Sequence, residues 1–481
     1  MHRTFVAPHA IRIVASLAGA AYVLAGCAVS PAAAPPLDPK VTIPAQWSSD
    51  APGAPGVVAA IDSRWWTAWG DPVLTDWVER ALQANTDVAA ALAAVAQARA
   101  LRDVAQAATG PSLGAGASAQ RAQTGDTVAR TNLGAKLDAS WEIDLFGRRA
   151  AALQAGQADM QASEAALGQV RVTLAAEVVT TYLEAWGVRE RLRVTQESLR
   201  AQEEALQLTQ WRAQAGLASD LDVQTARAAV EQVRASIPAL QASARQARHA
   251  LAVLAGQAPG VAVPEPPAAP PEPPAAWSLP VPADVLRQRP DVAAAEARLQ
   301  AAFARSRQAQ AARWPTLNIG GTLSLAAPRV SDLFDAAALT RSLTLALAAS
   351  VFDGGAAQAQ VRAQEAAIEQ ARAALQGVLL AALRDVENAL VALAADRERL
   401  VHLQVAVASA AEAEALASQR YRAGLIDYRT LLDAQRTLLS LQGELAAAQT
   451  AWATDHVRLI KALGGGWAPT ADGTALSATP H

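Results

Sequence analysis

Residues Pro315–Gly355 read PTLNIGGTLSLAAPRVSDLFDAAALTRSLTLALAASVFDGG. In Thr316–Leu325 the odd positions Leu317, Ile319, Leu323 and Leu325 are apolar, whereas Thr316, Asn318, Thr322 and Ser324 are polar. In Ser342–Val351 the odd positions Leu343, Leu345, Leu347 and Val351 are again apolar. A period of two over this length predicts two strands, hence a hairpin. At Phe352-Asp353-Gly354-Gly355 the period changes, and a helical pattern runs from there to Tyr421 without a proline. Within it Leu379, Leu383, Val386, Leu390 and Leu393 step alternately by about 4 and 3, the seam of a coiled coil. Roughly 67 residues at about 1.5 Å rise make a helix of roughly 100 Å. A hairpin feeding so long a helix is the feature that any functional reading has to explain.

The same arrangement occurs earlier in the chain. Asp71-Pro72 places proline at the first turn of a helix expected from about Asp71 to Ala108. Four tryptophans, Trp65, Trp66 and Trp69 ahead of it and Trp77 within it, are expected to pack it against its neighbours. A glycine-rich segment, Ser112–Ala122, precedes an almost unbroken alternation in which Leu133, Ala135, Leu137, Ala139, Trp141 and Ile143 interleave with polar residues. After Phe146-Gly147 a second long helical pattern extends to Ala215, with Leu192, Leu199 and Leu206 marking a heptad seam. A break at Gly216-Leu217 leads to a helix from Ser219 to Leu254, which Pro238 is expected to kink. Asp87-Val88-Ala89-Ala90-Ala91 returns as Asp291-Val292-Ala293-Ala294-Ala295, and Pro111-Ser112-Leu113 as Pro315-Thr316-Leu317. Gly147, Gly216 and Gly256 return at one constant spacing as Gly355, Gly424 and Gly464. The chain is therefore read as a tandem duplication of helix, hairpin, long helix, break and helix. Its first repeat covers 61–257 (hairpin 111–146, long helix 147–215, helix 219–254). Its second covers 283–464 (hairpin 315–352, long helix 355–421, helix 427–463). A proline-rich linker, 258–282, joins them, and a flexible tail, 465–481, follows.

The first 26 residues have the physics of a signal peptide: Arg3 and Arg12, the apolar run Ile13–Leu24, then small residues. Leu24-Ala25-Gly26-Cys27 is similar to the bacterial lipobox, and Cys27 is the sole cysteine among 481 residues, so no internal disulfide can form. Residues 27–60 are then a lipidated tether, rich in Pro, Ala and Gly. No aspartate stands at the second mature position, which in lipoproteins of this kind implies sorting to the outer membrane. The net charge of −3 excludes the electrostatics of nucleic-acid binding. No HExxH, GxSxG or phosphate-binding GxxxxGK[ST] occurs, and the six histidines show no ligand spacing, so neither catalysis nor a metal or other cofactor is expected. No mature segment has about 18 consecutive uncharged apolar residues; if the chain spans a membrane, it does so with strands.

Each repeat supplies two strands, four in all, and a closed barrel needs about eight or more. Open strand edges are not tolerated in lipid, where unpaired backbone groups find no water. Copies of the chain must therefore complete one another around an axis, three copies giving twelve strands.

At this point the chain resembles the TolC-like outer-membrane efflux proteins, and among them the NodT-type lipoproteins of RND multidrug efflux systems. The resemblance rests on Trp65-Trp66 with Gly70-Asp71-Pro72, Trp141-Glu142-Ile143-Asp144-Leu145-Phe146-Gly147-Arg148, Arg289-Pro290-Asp291-Val292, Val351-Phe352-Asp353-Gly354-Gly355, and Tyr421-Arg422-Ala423-Gly424 ahead of Leu431-Leu432-Asp433-Ala434-Gln435. It implies a mainly α fold with a β-barrel portion. Long coiled-coil helices would form a tunnel, and four transmembrane strands per protomer would close as a twelve-stranded barrel in a homotrimer. It implies the outer-membrane channel of a tripartite efflux system, partnered by a periplasmic adaptor (membrane fusion) protein and an inner-membrane RND-type pump. A type I protein-secretion channel, or a lipid-anchored periplasmic coiled-coil scaffold, is the alternative.

Related tunnels close with carboxylate rings and a network of tyrosine and arginine at the helix breaks. By that resemblance Asp433 is the ring carboxylate, Tyr421 a linking hydroxyl, and Asp222 its counterpart in the first repeat. Arg429 stands where some relatives carry an apolar residue, and is expected to pair with an aspartate across the seam. Asp220 and Asp427, directly after the breaks, are read as helix caps, the ordinary use of aspartate there. Trp141, Phe146 and Phe352, at strand ends, suit either the membrane interface or the packing of the hairpins.

Overall fold

The computed structural model describes residues 42–47, 61–126, 128–261, 273 and 282–467. The expected signal peptide, Cys27, and most of the tether, linker and tail lie outside the described residues. One compact unit takes in Val95–Ser163 with Ala295–Leu375; a second takes in Lys40–Ala94, Glu164–Ala294 and Gln376–His481.

The first unit holds an antiparallel sheet of four strands in sequence order: β1 (Ser112–Ala122), β2 (Arg130–Ile143), β3 (Thr316–Ala327) and β4 (Leu339–Ala348). The two hairpins are thus joined side by side through β2 and β3. The register carries the alternation across the sheet. Ile143, Leu317 and Leu347 share one row, and Trp141, Ile319 and Leu345 share another. Ala139, Gly321 and Leu343 continue the same face, with Leu113 opposite Ala139. The other face carries Lys136, Asp138, Ser140, Glu142, Asn318, Thr322 and Ser342. There Thr322 Oγ1 donates to Asp138 Oδ1 at 2.9 Å and Lys136 Nζ lies 2.8 Å from Asp138 Oδ2. Leu343, Leu345 and Leu347 are 84%, 68% and 69% exposed, so the apolar face is uncovered within one chain. β1 and β4 are the two edges of the sheet. β4 occupies Leu339–Ala348 instead of starting at Ser342 and reaching Val351. Thr316 pairs with Ala348, and Pro315 beyond it has no N–H with which to continue the ladder.

Around the sheet ends, Arg148 and Arg149 both pair with Glu142, at 2.6 Å and 2.8 Å. Phe146 stacks on Trp314 with ring centroids 5.4 Å apart, and the Trp141 indole N–H donates to the Thr109 carbonyl at 3.0 Å. These contacts tie the strands to the helices that flank them.

The helices are α1 (Pro72–Ala84), α2 (Thr86–Ala107), α3 (Arg148–Gln214), α4 (Asp220–Leu254), α5 (Pro282–Gln288), α6 (Pro290–Ala311), α7 (Ala356–Arg422) and α8 (Tyr428–Ala462). α3 and α7 have 67 residues each, α4 and α8 35 each. α4 runs through Pro238 as one element. No helix among the described residues is long and apolar enough to cross a membrane.

The helix expected over Asp71–Ala108 is two helices. Asn85, extended at ψ 136°, separates α1 from α2. Its side-chain oxygen accepts from the N–H groups of Asp87 (2.8 Å) and Val88 (3.4 Å), capping α2. Its amide donates to the Leu254 carbonyl at the end of α4, 3.0 Å away. The second repeat does the same with different chemistry: Arg289, between α5 and α6, donates to the Ala462 carbonyl at the end of α8 at 2.7 Å. Behind these bonds the chain turns on Gly256 (φ 68°) and Gly464 (φ 101°), left-handed positions. A Cβ at Gly256 would collide with the Ala84 carbonyl, and one at Gly464 with that of Gln288. The repeat therefore extends to single carbonyls, and Gly256 and Gly464 recur because backbone lies against them.

Apolar layers hold the second unit. Val285 packs with Val386, Leu390, Leu393 and Leu459. Trp65, Trp66, Trp69 and Trp77 are all buried. Asp71 caps α1 through Val73 and Leu74 and also accepts from the Tyr182 hydroxyl at 2.5 Å. Burial, with Asp71 beside it, pushes the Tyr182 phenol upward and keeps it a donor.

Candidate functional site

The two long helices end alike. At the end of α3 the Leu217 N–H bonds to the Arg212 carbonyl (2.7 Å) and Gly216 N–H to Ala213 (2.9 Å); at the end of α7 Leu425 N–H bonds to Arg420 (2.9 Å) and Gly424 N–H to Tyr421 (2.9 Å). Both glycines have φ 76°. Each end is a Schellman cap, which satisfies the last carbonyls through a left-handed residue. The cap turns the chain after three residues into the next helix.

The starts of α4 and α8 use one arrangement with its chemistry exchanged. Ser219 caps α4: its Oγ accepts from the Asp222 N–H at 3.2 Å, and the Asp222 carboxylate takes hydrogen bonds from Ser219 N (3.0 Å) and Oγ (2.7 Å). In α8 the acid is the cap itself: Asp427 accepts from Thr430 N (2.9 Å) and Thr430 Oγ1 (2.6 Å). Those hydrogen bonds from Thr430 hold the Asp427 carboxyl below its ordinary range.

Inside the two turns lies a buried cluster formed by Ala205, Ala226, Ala229, Ala417, Tyr421, Tyr428, Leu431 and Leu432. Tyr421, 3% exposed, is its centre. Thr209 donates its one hydroxyl proton to the Ala205 carbonyl at 2.7 Å, so at the 2.6 Å Thr209–Tyr421 contact the tyrosine is the donor. Arg212 donates to the Tyr421 carbonyl at 2.8 Å and holds its guanidinium 4.9 Å from the centre of the Tyr421 ring. Tyr428 meets Tyr421 edge to face at 5.9 Å. Burial pushes the Tyr428 hydroxyl up to about 12, and its Oη makes no hydrogen bond among the described residues. The α3 and α7 ends are thus latched by one hydroxyl pair and one arginine.

Of the residues singled out from sequence, Tyr421 brings its hydroxyl within 2.6 Å of Thr209. Asp222 completes the capping box of α4 with Ser219. Asp220 is the first residue of α4, with Ser219 as its cap, whereas Asp427 does cap α8. Asp433 is exposed, on the side of α8 away from the buried Leu431, Leu432 and Gln435; its carbonyl accepts from Thr437 Oγ1 at 2.8 Å. Arg429 is exposed and makes no ion pair within the chain among the described residues; its charge bears on Asp427. Sequence reasoning did not find Thr209 and Arg212. The counterpart of Thr209 one repeat later is Ala417, so no repeated motif marked it; Arg212 does recur as Arg420, but an arginine in the last turn of a helix is ordinary and did not set it apart.

Residues 77–257 and 281–465 match the family described as outer membrane efflux protein, once in each repeat. The pyoverdine export outer membrane protein OpmQ of Pseudomonas putida (strain KT2440) is 35% identical over 437 residues, covering 88% of this chain and 92% of that protein. Nodulation protein T of Rhizobium leguminosarum bv. trifolii is 30% identical over 456 residues, covering 93% and 96%. Among solved structures, the outer-membrane channel OprN superposes with a TM-score of 0.81 at 34% identity, over 89% of this chain and 98% of that one.

Proposed function

This chain belongs to the outer membrane efflux protein family and is an outer-membrane channel of an efflux system; from that premise we propose that it works as a homotrimer, gated at the turns that end α3 and α7. The observation that carries the reading is the four-stranded sheet, uncovered on its apolar face and open at both edges. Such edges are incompatible with lipid unless another chain pairs with them. Three copies give twelve strands, with the apolar face to lipid and the face of Lys136, Asp138 and Thr322 to the lumen. α7 adds support. Leu380, Val391, Val405 and Leu416 are all exposed and, at steps of 11, 14 and 11 residues, fall on one side of the helix. That stripe spans about 54 Å and suits a neighbouring copy.

The channel passively conducts small molecules delivered by an inner-membrane RND-type pump through a periplasmic adaptor; the likeness to a pyoverdine export protein supports export of small molecules. Cys27 anchors it to the outer membrane through lipid. At the closed end Asp433 of three copies forms a ring of negative charge whose side chains narrow the opening and attract cations, while their mutual repulsion works against closure. The latch of Tyr421, Thr209 and Arg212 keeps α3 and α7 together against that repulsion. Asp222, by fixing the start of α4, and Arg429, beside Asp427, set the shape and charge of the turns.

Single-channel recording in a planar bilayer tests this. The wild type should show small, cation-selective currents, and Asp433→Ala should enlarge them and reduce the selectivity. Currents unchanged in both size and selectivity would remove Asp433 from the gate.

A further inference from the structure

The apolar face of the sheet carries two charged residues along its strands, Arg121 on β1 and Arg341 on β4. Arg121 stands opposite Thr131 and Arg341 opposite Leu323. Both are exposed, and neither has an ion pair among the described residues. Each lies close to the loop end of its strand: Arg121 is next to last in β1 and Arg341 third in β4. They sit on opposite edges of the sheet, and so on strands that meet when identical copies close.

The register fixes how they meet. The centre of β1 is Ala117, whereas the centre of β4, Leu343–Thr344, lies on the rows of Leu113 and Ser112. Strand centres thus slip along the rows by between four and five residues over three steps, about 1.5 per step. A fourth step, onto β1 of the next copy, brings the slip to about six. Only an even slip keeps apolar residues on one face. A slip of about 1.5 residues (5 Å) per strand spacing of about 4.8 Å is a tilt of about 45°, that of transmembrane strands.

With a slip of six, the row of Ala115, Leu137, Leu323 and Arg341 continues onto Arg121 of the next copy. The same register sets Leu343 against Ala119, Leu345 against Ala117 and Leu347 against Ala115, a large side chain against a small one each time. Against that fit, two guanidinium groups lie directly opposite, with Cβ atoms about 5 Å apart on a lipid-facing surface, where like charges are destabilising. An anion between them removes the conflict. The hairpin loops point away from the helices, so this end of the barrel lies at the outer leaflet.

Resting on the three-copy closure above, we propose that each seam between copies binds a phosphate group of an outer-leaflet glycolipid between Arg341 of one copy and Arg121 of the next. Planar guanidinium forks suit phosphate oxygens bidentately, and at the level of the headgroups both side chains reach the lipid without leaving the barrel surface. The rival counter-charges are carboxylates in the loops, Asp126, Asp332 and Asp335.

Two measurements on the purified full-length protein decide it. Disulfide trapping of Leu343→Cys with Ala119→Cys should give a covalent trimer, whereas Leu343→Cys with Ala117→Cys should not. Native mass spectrometry should then show up to three molecules of bisphosphorylated lipid A per trimer. Dephosphorylated lipid A should be retained about tenfold less, and Arg121→Gln or Arg341→Gln should each lower retention of the phosphorylated form about tenfold. Trapping through Ala117 would overturn the register and the pair with it. A correctly trapped trimer indifferent to phosphate and to both substitutions would assign the counter-charge to the loop carboxylates and overturn the proposal. Absence of any trimer would refute the closure on which it rests.

Discussion

Replacing Tyr421 with phenylalanine removes one oxygen from the centre of the latch and leaves its shape. The lost hydrogen bond is the 2.6 Å donation to Thr209. Thr209 keeps its bond to the Ala205 carbonyl, so no donor is stranded, and the loss is that of an ordinary buried hydrogen bond, about 1 kcal/mol. Arg212 still reaches the residue 421 carbonyl, and the ring still meets Tyr428 and the guanidinium. If the α3 and α7 ends part on opening in all three copies together, the closed state loses about 3 kcal/mol, or roughly two orders of magnitude in the closed-to-open ratio. Single-channel recording in a planar bilayer reads that ratio directly as open dwell time. Thr209→Val should act in the same direction and at least as strongly, because it strands the buried Tyr421 hydroxyl, and the double variant should cost clearly less than the sum of the two. Additive effects, or dwell times unchanged while thermal stability falls, would refute the latch as part of gating and leave it as packing.

Three more outcomes follow from single positions. Gly464→Ala drives a Cβ into the Gln288 carbonyl at a left-handed φ of 101° and should cost more than about 2 kcal/mol, whereas Gly377→Ala, in open space inside α7, should stabilise by up to about 1 kcal/mol in urea unfolding. Asn85→Ala strips the cap of α2 and the donor to Leu254, and should lower stability by about 1–2 kcal/mol, with Asn85→Asp recovering the cap alone. In α7, Asp396 has its carboxyl held above the usual range, by burial first and then by the charge of Asp455 on α8 and the hydrogen bond between them; Arg399 and Arg458 act against the shift. The folded state then binds that proton more tightly than the unfolded one. Stability should fall as pH rises from the ordinary carboxylate range through the raised value. Neighbouring His456, pushed down by burial, has the opposite slope just below the ordinary histidine range, so the wild-type minus Asp396→Asn difference isolates the carboxyl: Asp396→Asn should lose the fall, and an unchanged pH profile would show that the pair does not share a proton.

The strands and long helices were legible because each announces itself locally. The alternation in Leu133–Ile143 can satisfy only a two-sided sheet, and 67 residues with no proline leave a helix nothing to stop at. The glycine spacing was legible for a stricter reason, since Gly147, Gly216 and Gly256, like their later counterparts, all have positive φ. Asn85 was not legible as a break. Asparagine is tolerated in a helical pattern, and the carbonyl that holds its amide is 169 residues away. The latch was half legible: Tyr421 stood out beside Gly424, but Thr209 and Arg212 are polar residues on a helix that the sequence alone reads as surface. Asp222 shows the opposite limit. An acid just after a glycine break suits several uses, and its paired bonds to Ser219, which make it part of a capping box, could not be read from the sequence.

Channel formation requires that β1 and β4 be completed by other copies of this chain within a membrane. The most direct test is the mass of the protein released from outer membranes, before and after cleavage between the Cys27 anchor and Ile61. The cleaved protein should still require detergent and still have three times the mass of one chain. A cleaved protein that is monomeric and stays in solution without detergent would contradict it.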